Sequence, residues 1–150
     1  MSVIEKSIDL NVPVRTAYNQ WTQFEEFPRF MEGVEHVRQI DDKHLHWKAS
    51  LGGRQEEWDA EIIEQIPDQR IVWRSQSGAK NEGIVLFSPV TEGKSKINLR
   101  IEYEPKGMVE KTGDIAGVVS QRVEGDLKRF KAFIESRGHE SGAWRGNVGA

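Results

Sequence analysis

The 150-residue chain contains no cysteine, which excludes disulfides, thiolate nucleophiles and cysteine-ligated metals together. It also lacks any apolar run near the roughly 20 residues that a membrane-spanning helix needs, and its mean hydropathy is -0.63. Stable membrane insertion is therefore not expected. An excess of positive charge is missing too: 21 Lys and Arg face 24 Asp and Glu, for a net charge of -3. A nucleic-acid surface normally needs a basic stripe. The basic residues that do cluster, Lys128, Arg129, Lys131 and Arg137, fall toward the end of a helix, where cations complement the macrodipole, so no nucleic-acid partner is expected. Met1 to Glu5 lacks a basic region followed by an apolar core, so no secretory signal is expected and the location follows as cytoplasmic. No glycine-rich phosphate loop, Ser-His-Asp set or metalloenzyme motif is found, and no cofactor is expected. Internal repeats and polar linkers are absent as well, which leaves one domain with a sizeable core.

What is present is organised around the stretch from Lys111 to Arg137. Ile115, Val119, Val123, Leu127, Phe130 and Ile134 recur every three or four positions with charged residues between them, the pattern of one long amphipathic helix. At 1.5 Å per residue it would be roughly 40 Å long and would cross the whole domain. Gly113 and Gly117 lie in its first turns, where each costs about 1 kcal/mol relative to alanine. Either the backbone there approaches another element closely, or the missing side chains leave room for a ligand. After Arg137 the chain is rich in glycine and without periodicity, so residues 138–150 read as a flexible tail and 1–137 as the folded domain.

Upstream, Ile4, Ile8 and Leu10 alternate in an outer strand. Pro13 opens a short helix with Val14, Ala17, Trp21 and Phe24 at helical spacing. Phe24, Phe27, Pro28, Phe30 and Met31 form an aromatic patch that predicts a second short helical segment ending at Gly33, either core or the rim of a pocket. From Val34 to Tyr103, turn signals at regular intervals separate alternating runs, which describes an antiparallel meander. A two-residue turn at Gly52-Gly53 sets its hairpin register: Trp47 opposes Trp58 and Leu45 opposes Ala60, while Lys48, His46 and His44 oppose Glu57, Asp59 and Glu61. One face is aromatic, the other a ladder of opposite charges. The face with His44, His46, Asp59 and Glu61 has zinc-compatible residue types, but charge pairing already explains it and no metal is expected. Val85 and Phe87, then Ile97, Leu99, Ile101 and Tyr103, are the expected inward residues of the last two strands.

The run Val12-Pro13-Val14, Ala17, Trp21, Phe24 to Pro28, Phe30-Met31 and the strand from Val34 to Val37 resembles the N-terminal signature of SRPBCC (START-like) proteins of the polyketide cyclase/dehydrase branch. The resemblance implies an α+β helix-grip fold, in which a curved antiparallel sheet of about seven strands wraps a long C-terminal helix and encloses an apolar cavity. Members include lipid and coenzyme Q binders as well as aromatase/cyclases.

Fold does not determine function, so the site has to be read from its residues. The expected ligand-binding set is Trp47, Trp58, Trp73, Phe87 and Tyr103 from the sheet, Gly117, Val119 and Val123 from the helix, and Trp21, Phe27 and Phe30 near the entrance. Flat apolar rings with few polar groups suit a hydrophobic small molecule or a lipid- or quinone-like ligand, and they also suit a packed core. The alternative is a cyclase/dehydrase acting on a polyketide-like or aromatic substrate. Its catalytic candidates are Tyr103, as a donor to a developing enolate, and Glu56, as a general base, with Ser75 the other inward polar residue.

Overall fold

In the computed structural model, which describes residues 2–51, 54–104 and 114–149, β1 (Ser2–Leu10) leads into α1 (Val14–Trp21) and a 3-10 helix (Phe24–Arg29). A meander follows: β2 (Val34–Gln39), β3 (His44–Leu51), β4 (Arg54–Ile66), β5 (Arg70–Gly78), β6 (Asn81–Thr91) and β7 (Lys94–Tyr103). The terminal helix α2 spans Asp114–Arg137. All seven strands form one antiparallel sheet in the order β1-β7-β6-β5-β4-β3-β2. Because β1 and β2 lie at opposite edges, the two short helices carry the chain from one edge to the other. On the way α1 packs on β6 and β7, and the 3-10 helix packs on β2.

The curvature has a local cause. The register shifts between Asp59 and Ala60 and again between Ile62 and Glu64 on β4, between Val34 and His36 on β2, and between Pro89 and Thr91 on β6. Such bulges bend a strand and increase its twist. The second shift on β4 leaves Ile63 exposed and turns Gln65 inward, where it is 1% exposed. The concave face so formed holds Val123, Leu127, Phe130 and Ile134 of α2, all buried. This is the helix-grip arrangement.

The hairpin register is the one that the two faces require: Leu45 pairs with Ala60, Trp47 with Trp58, His46 with Asp59 and Leu51 with Arg54, and Val37 pairs with Trp47 on the other side. Side chains on the convex face keep only some of the directly opposed pairs. His46 reaches Asp59 at 2.7 Å and also the diagonal Glu57 at 3.2 Å, Lys48 turns to Glu35, and His44 turns to Asp41. Strand twist brings diagonal neighbours within reach of long side chains, which explains the added His46–Glu57 contact, whereas Asp41 meets His44 locally, where it also accepts the backbone N–H of Lys43 and His44.

Three expectations meet a different outcome. The segment after Arg137, expected as a flexible tail, is packed: Val148 is buried and pairs through its backbone with Gln65. Arg145 bonds Asn19 Oδ1 and Asp68 Oδ2 at 2.6 and 2.7 Å and lies over the Tyr18 ring. Specific polar contacts hold this stretch, so hydrophobic periodicity could not reveal it. Second, Gly117 is exposed and no described atom lies within 4 Å of where its β-carbon would be, so close approach by a described backbone is not its reason. Third, Ser77-Gly78, one of the turn signals expected to separate the strands of the meander, is the end of β5, with Gly78 at φ +81 opposite Trp58. The Gly52-Gly53 turn, Pro105, Gly107, Val109 and Gly113 lie outside the described residues.

Candidate functional site

The aromatic patch after α1 is the roof of the concave face. Trp21, Phe27, Phe30 and Phe130 meet edge to face, with ring centroids between 5.1 and 5.6 Å apart. Phe27 then tilts against Trp47 of β3 at 5.6 Å, and Trp47 stacks on Trp58 with 10° between the planes. Below this roof is an apolar cavity of about 100 Å³. Its walls come from the roof (Trp21, Phe24, Phe27, Met31), from β3 to β7 and from α2.

Of the residues expected at a ligand site, Trp21, Phe27, Trp47, Trp73 and Val123 line this cavity. Trp58 lies behind Trp47. Phe30 is buried against Phe130 and Phe133, and Phe87 against Tyr18 and Trp21, so both support the wall without forming it. Val119 is half-buried against the core, and Gly117 is exposed and apart from the lining. Of the catalytic candidates, Tyr103 is buried at the end of β7 and Glu56 is half-buried opposite Ala49, and neither lines the cavity. Ser75 Oγ accepts the backbone N–H of Asn81. Among the described residues no group of three or more His, Asp or Glu is placed to hold a metal ion.

The charged residue that does line the cavity is Asp126 of α2. It sits three residues after Val123 and four before Phe130, on the buried stripe of the helix. That spacing was the available signal, and an aspartate inside an apolar stripe is its mark. Burial raises its carboxyl to about 6, against hydrogen bonding and attraction from Arg129 that favour the charged form. One oxygen, Oδ1, serves both Arg129 and the backbone N–H of Glu32, the latter at 3.0 Å. Arg129 also donates to Phe30 O at 2.9 Å, and Arg122 donates to Glu32 O and Ser50 O at 2.8 and 3.0 Å. Arg122, Asp126 and Arg129 thus clasp the hook from Phe30 to Gly33, supplying partners to Phe30 O and to the backbone N–H and O of Glu32, while Phe30 N–H, Met31 and Gly33 O bond to other backbone groups. Gly33 is required there, since its φ is +87 and a β-carbon would run into Arg122 and Ser50 O.

The family model for polyketide cyclase/dehydrase and lipid transport proteins matches residues 10–132. The chain belongs to this family. It is 50% identical over 149 residues, 99% of both chains, to an uncharacterized 17.2 kDa protein of Streptomyces lincolnensis. Among solved structures, a START superfamily protein of Mycobacterium smegmatis has a TM-score of 0.80 at 13% identity, covering 90% of this chain and 98% of that one. The Zhui aromatase/cyclase of a Streptomyces species has a TM-score of 0.75 at 12% identity, with 95% and 99% covered. At those identities the likeness establishes the shared START-like fold. A Deinococcus radiodurans crystal structure is similar at 26% identity, with a TM-score of 0.72 over 92% of this chain and 99% of that one. Among the described residues of this family member, no helix is long and apolar enough to cross a membrane.

Proposed function

We propose that this protein binds a hydrophobic small molecule or lipid-like ligand between the sheet and α2, without transforming it. The observation that carries the reading is the apolar cavity of about 100 Å³ walled by Trp21, Phe27, Trp47 and Trp73. An apolar cavity of roughly 150 Å³ takes a benzene-sized guest, so this one suits part of a small ring system, and a longer ligand would have to displace the hook or the roof. The reading is in keeping with the family's association with lipid transport.

The test is Val123→Phe, which places a ring into the cavity from α2 at a packing cost of about 1 to 3 kcal/mol. The expected result is a folded variant whose affinity for apolar aromatic probes, read by tryptophan fluorescence, falls more than about tenfold. Native mass spectrometry and organic extraction of the purified protein would identify a carried ligand. A folded Val123→Phe protein that binds as well as the parent overturns the reading.

A second reading, cyclase/dehydrase chemistry on a polyketide-like substrate, has one observation in its favour. Asp126 lines the cavity with a carboxyl raised to about 6, close enough to neutral to give and take a proton. Turnover of a model polyketide that disappears in Asp126→Asn while ligand affinity stays would promote it over simple binding.

A further inference from the structure

The indole N–H groups of Trp47 and Trp58 are buried, and neither has a hydrogen-bond partner among the described residues. A buried donor left unpaired costs free energy, and tryptophans inside proteins usually satisfy theirs. The adjacent part of this sheet does so: Trp73 Nε1 donates to Asn81 Oδ1 at 3.0 Å. The rings that carry the two unpaired donors are neighbours: they oppose one another across β3 and β4 and stack with centroids 5.6 Å apart. Trp47 is part of the cavity wall, with Phe27 against its ring. Trp47 in the wall and Trp58 stacked behind it therefore carry two donors that, among the described residues, meet no acceptor.

We propose that these paired indoles are a ligand subsite that selects a flat apolar molecule bearing a neutral carbonyl oxygen over a hydrocarbon of the same shape. The inference rests on the cavity-binding reading above. A neutral carbonyl is favoured over a carboxylate by the rest of the wall: among the described residues no lysine, arginine or histidine lines it, and Asp126 does. A carboxylate would lose its hydration without a balancing cation and would face a second negative charge.

Acetophenone, cumene and benzoate separate the possibilities, because the first two have the same heavy-atom outline and the third adds the charge. In ¹H–¹⁵N spectra of the labelled protein, saturating acetophenone is expected to move the indole protons of Trp47 and Trp58 downfield, whereas cumene binds without doing so. Trp47→Phe and Trp58→Phe assign the two resonances, and each should lower the acetophenone-to-cumene affinity ratio about fivefold, the worth of one neutral hydrogen bond. If both neutral probes bind but the two indole protons stay unmoved, or only one moves, the subsite is wrong and the binding cavity stands. An unchanged affinity ratio in both folded variants has the same meaning. Benzoate binding more tightly than acetophenone overturns the choice of a neutral carbonyl. If none of the three binds, the cavity reading falls and this inference with it. The spectra of the unaltered protein decide the matter even where a variant fails to fold.

Discussion

Asp126 on α2 accepts the backbone N–H of Glu32 at 3.0 Å, so a cavity-lining carboxyl is also a bond between the terminal helix and the hook that roofs the cavity. Ligand entry between roof and helix would strain this contact. The charge on Asp126 thereby bears on how firmly the hook is held to α2.

The pH dependence of the stability from Asp126 has a definite sign. Asp126 is raised from 3.8 to about 6, so between those values the folded protein holds a proton that the unfolded chain has lost. Stability from this group falls as pH rises through that window and is flat above it, by on the order of 3 kcal/mol in total. Asp126→Asn should remove the slope. Urea unfolding of both proteins from about pH 4 to about pH 8 measures it, and parallel curves would rule this linkage out.

On the convex face the sign of the linkage is tied to a histidine. Hydrogen bonds from His46 to Asp59 and then to Glu57 hold its imidazole above the ordinary histidine value. A raised histidine stabilises the fold fully below its unfolded value, and that stabilisation is lost as pH rises through the folded one. An NMR titration should find the His46 midpoint above that of a free histidine, and Asp59→Asn should lower it. The exposed setting predicts that added salt weakens the effect.

Removal of residues 139–150 tests the docked C-terminal segment. Val148 would leave its pocket, Asn19 and Gln20 would lose Glu140, Ser141 and Arg145, and Asp68 would lose its ion pair. The expected loss is about 2 to 4 kcal/mol, seen as a lower denaturant midpoint. A truncated protein as stable as the full chain would mean that the segment contributes nothing to the fold.

Two glycines should respond oppositely to alanine. At Gly117, exposed and without a described neighbour at its β-carbon, alanine should stabilise α2 by about 0.5 to 1 kcal/mol and leave ligand binding unchanged. At Gly33, with φ +87 and Arg122 in the way, alanine should destabilise by about 2 kcal/mol and loosen the hook. Thermal unfolding of both variants, with probe affinity measured alongside, gives the comparison.

The sheet was legible because its information is local. A two-residue turn admits one register that places Trp47 and Trp58 on the apolar face and His46 and Asp59 on the charged one, and the strand partners from His44 to Leu51 agree with it position by position. The helical period of Val123, Leu127, Phe130 and Ile134 likewise marks the buried stripe of α2 from the chain alone. What chain order could not decide was the meeting of distant segments. Asp126 becomes a raised carboxyl because the hook from Phe30 to Gly33 covers it, and Arg145 is held because Asn19 and Asp68 converge on it from α1 and the β4–β5 turn. Desolvation and polar pairing of this kind depend on which surfaces exclude water together. That is a property of the assembled fold, while strand parity and helical period belong to the chain itself.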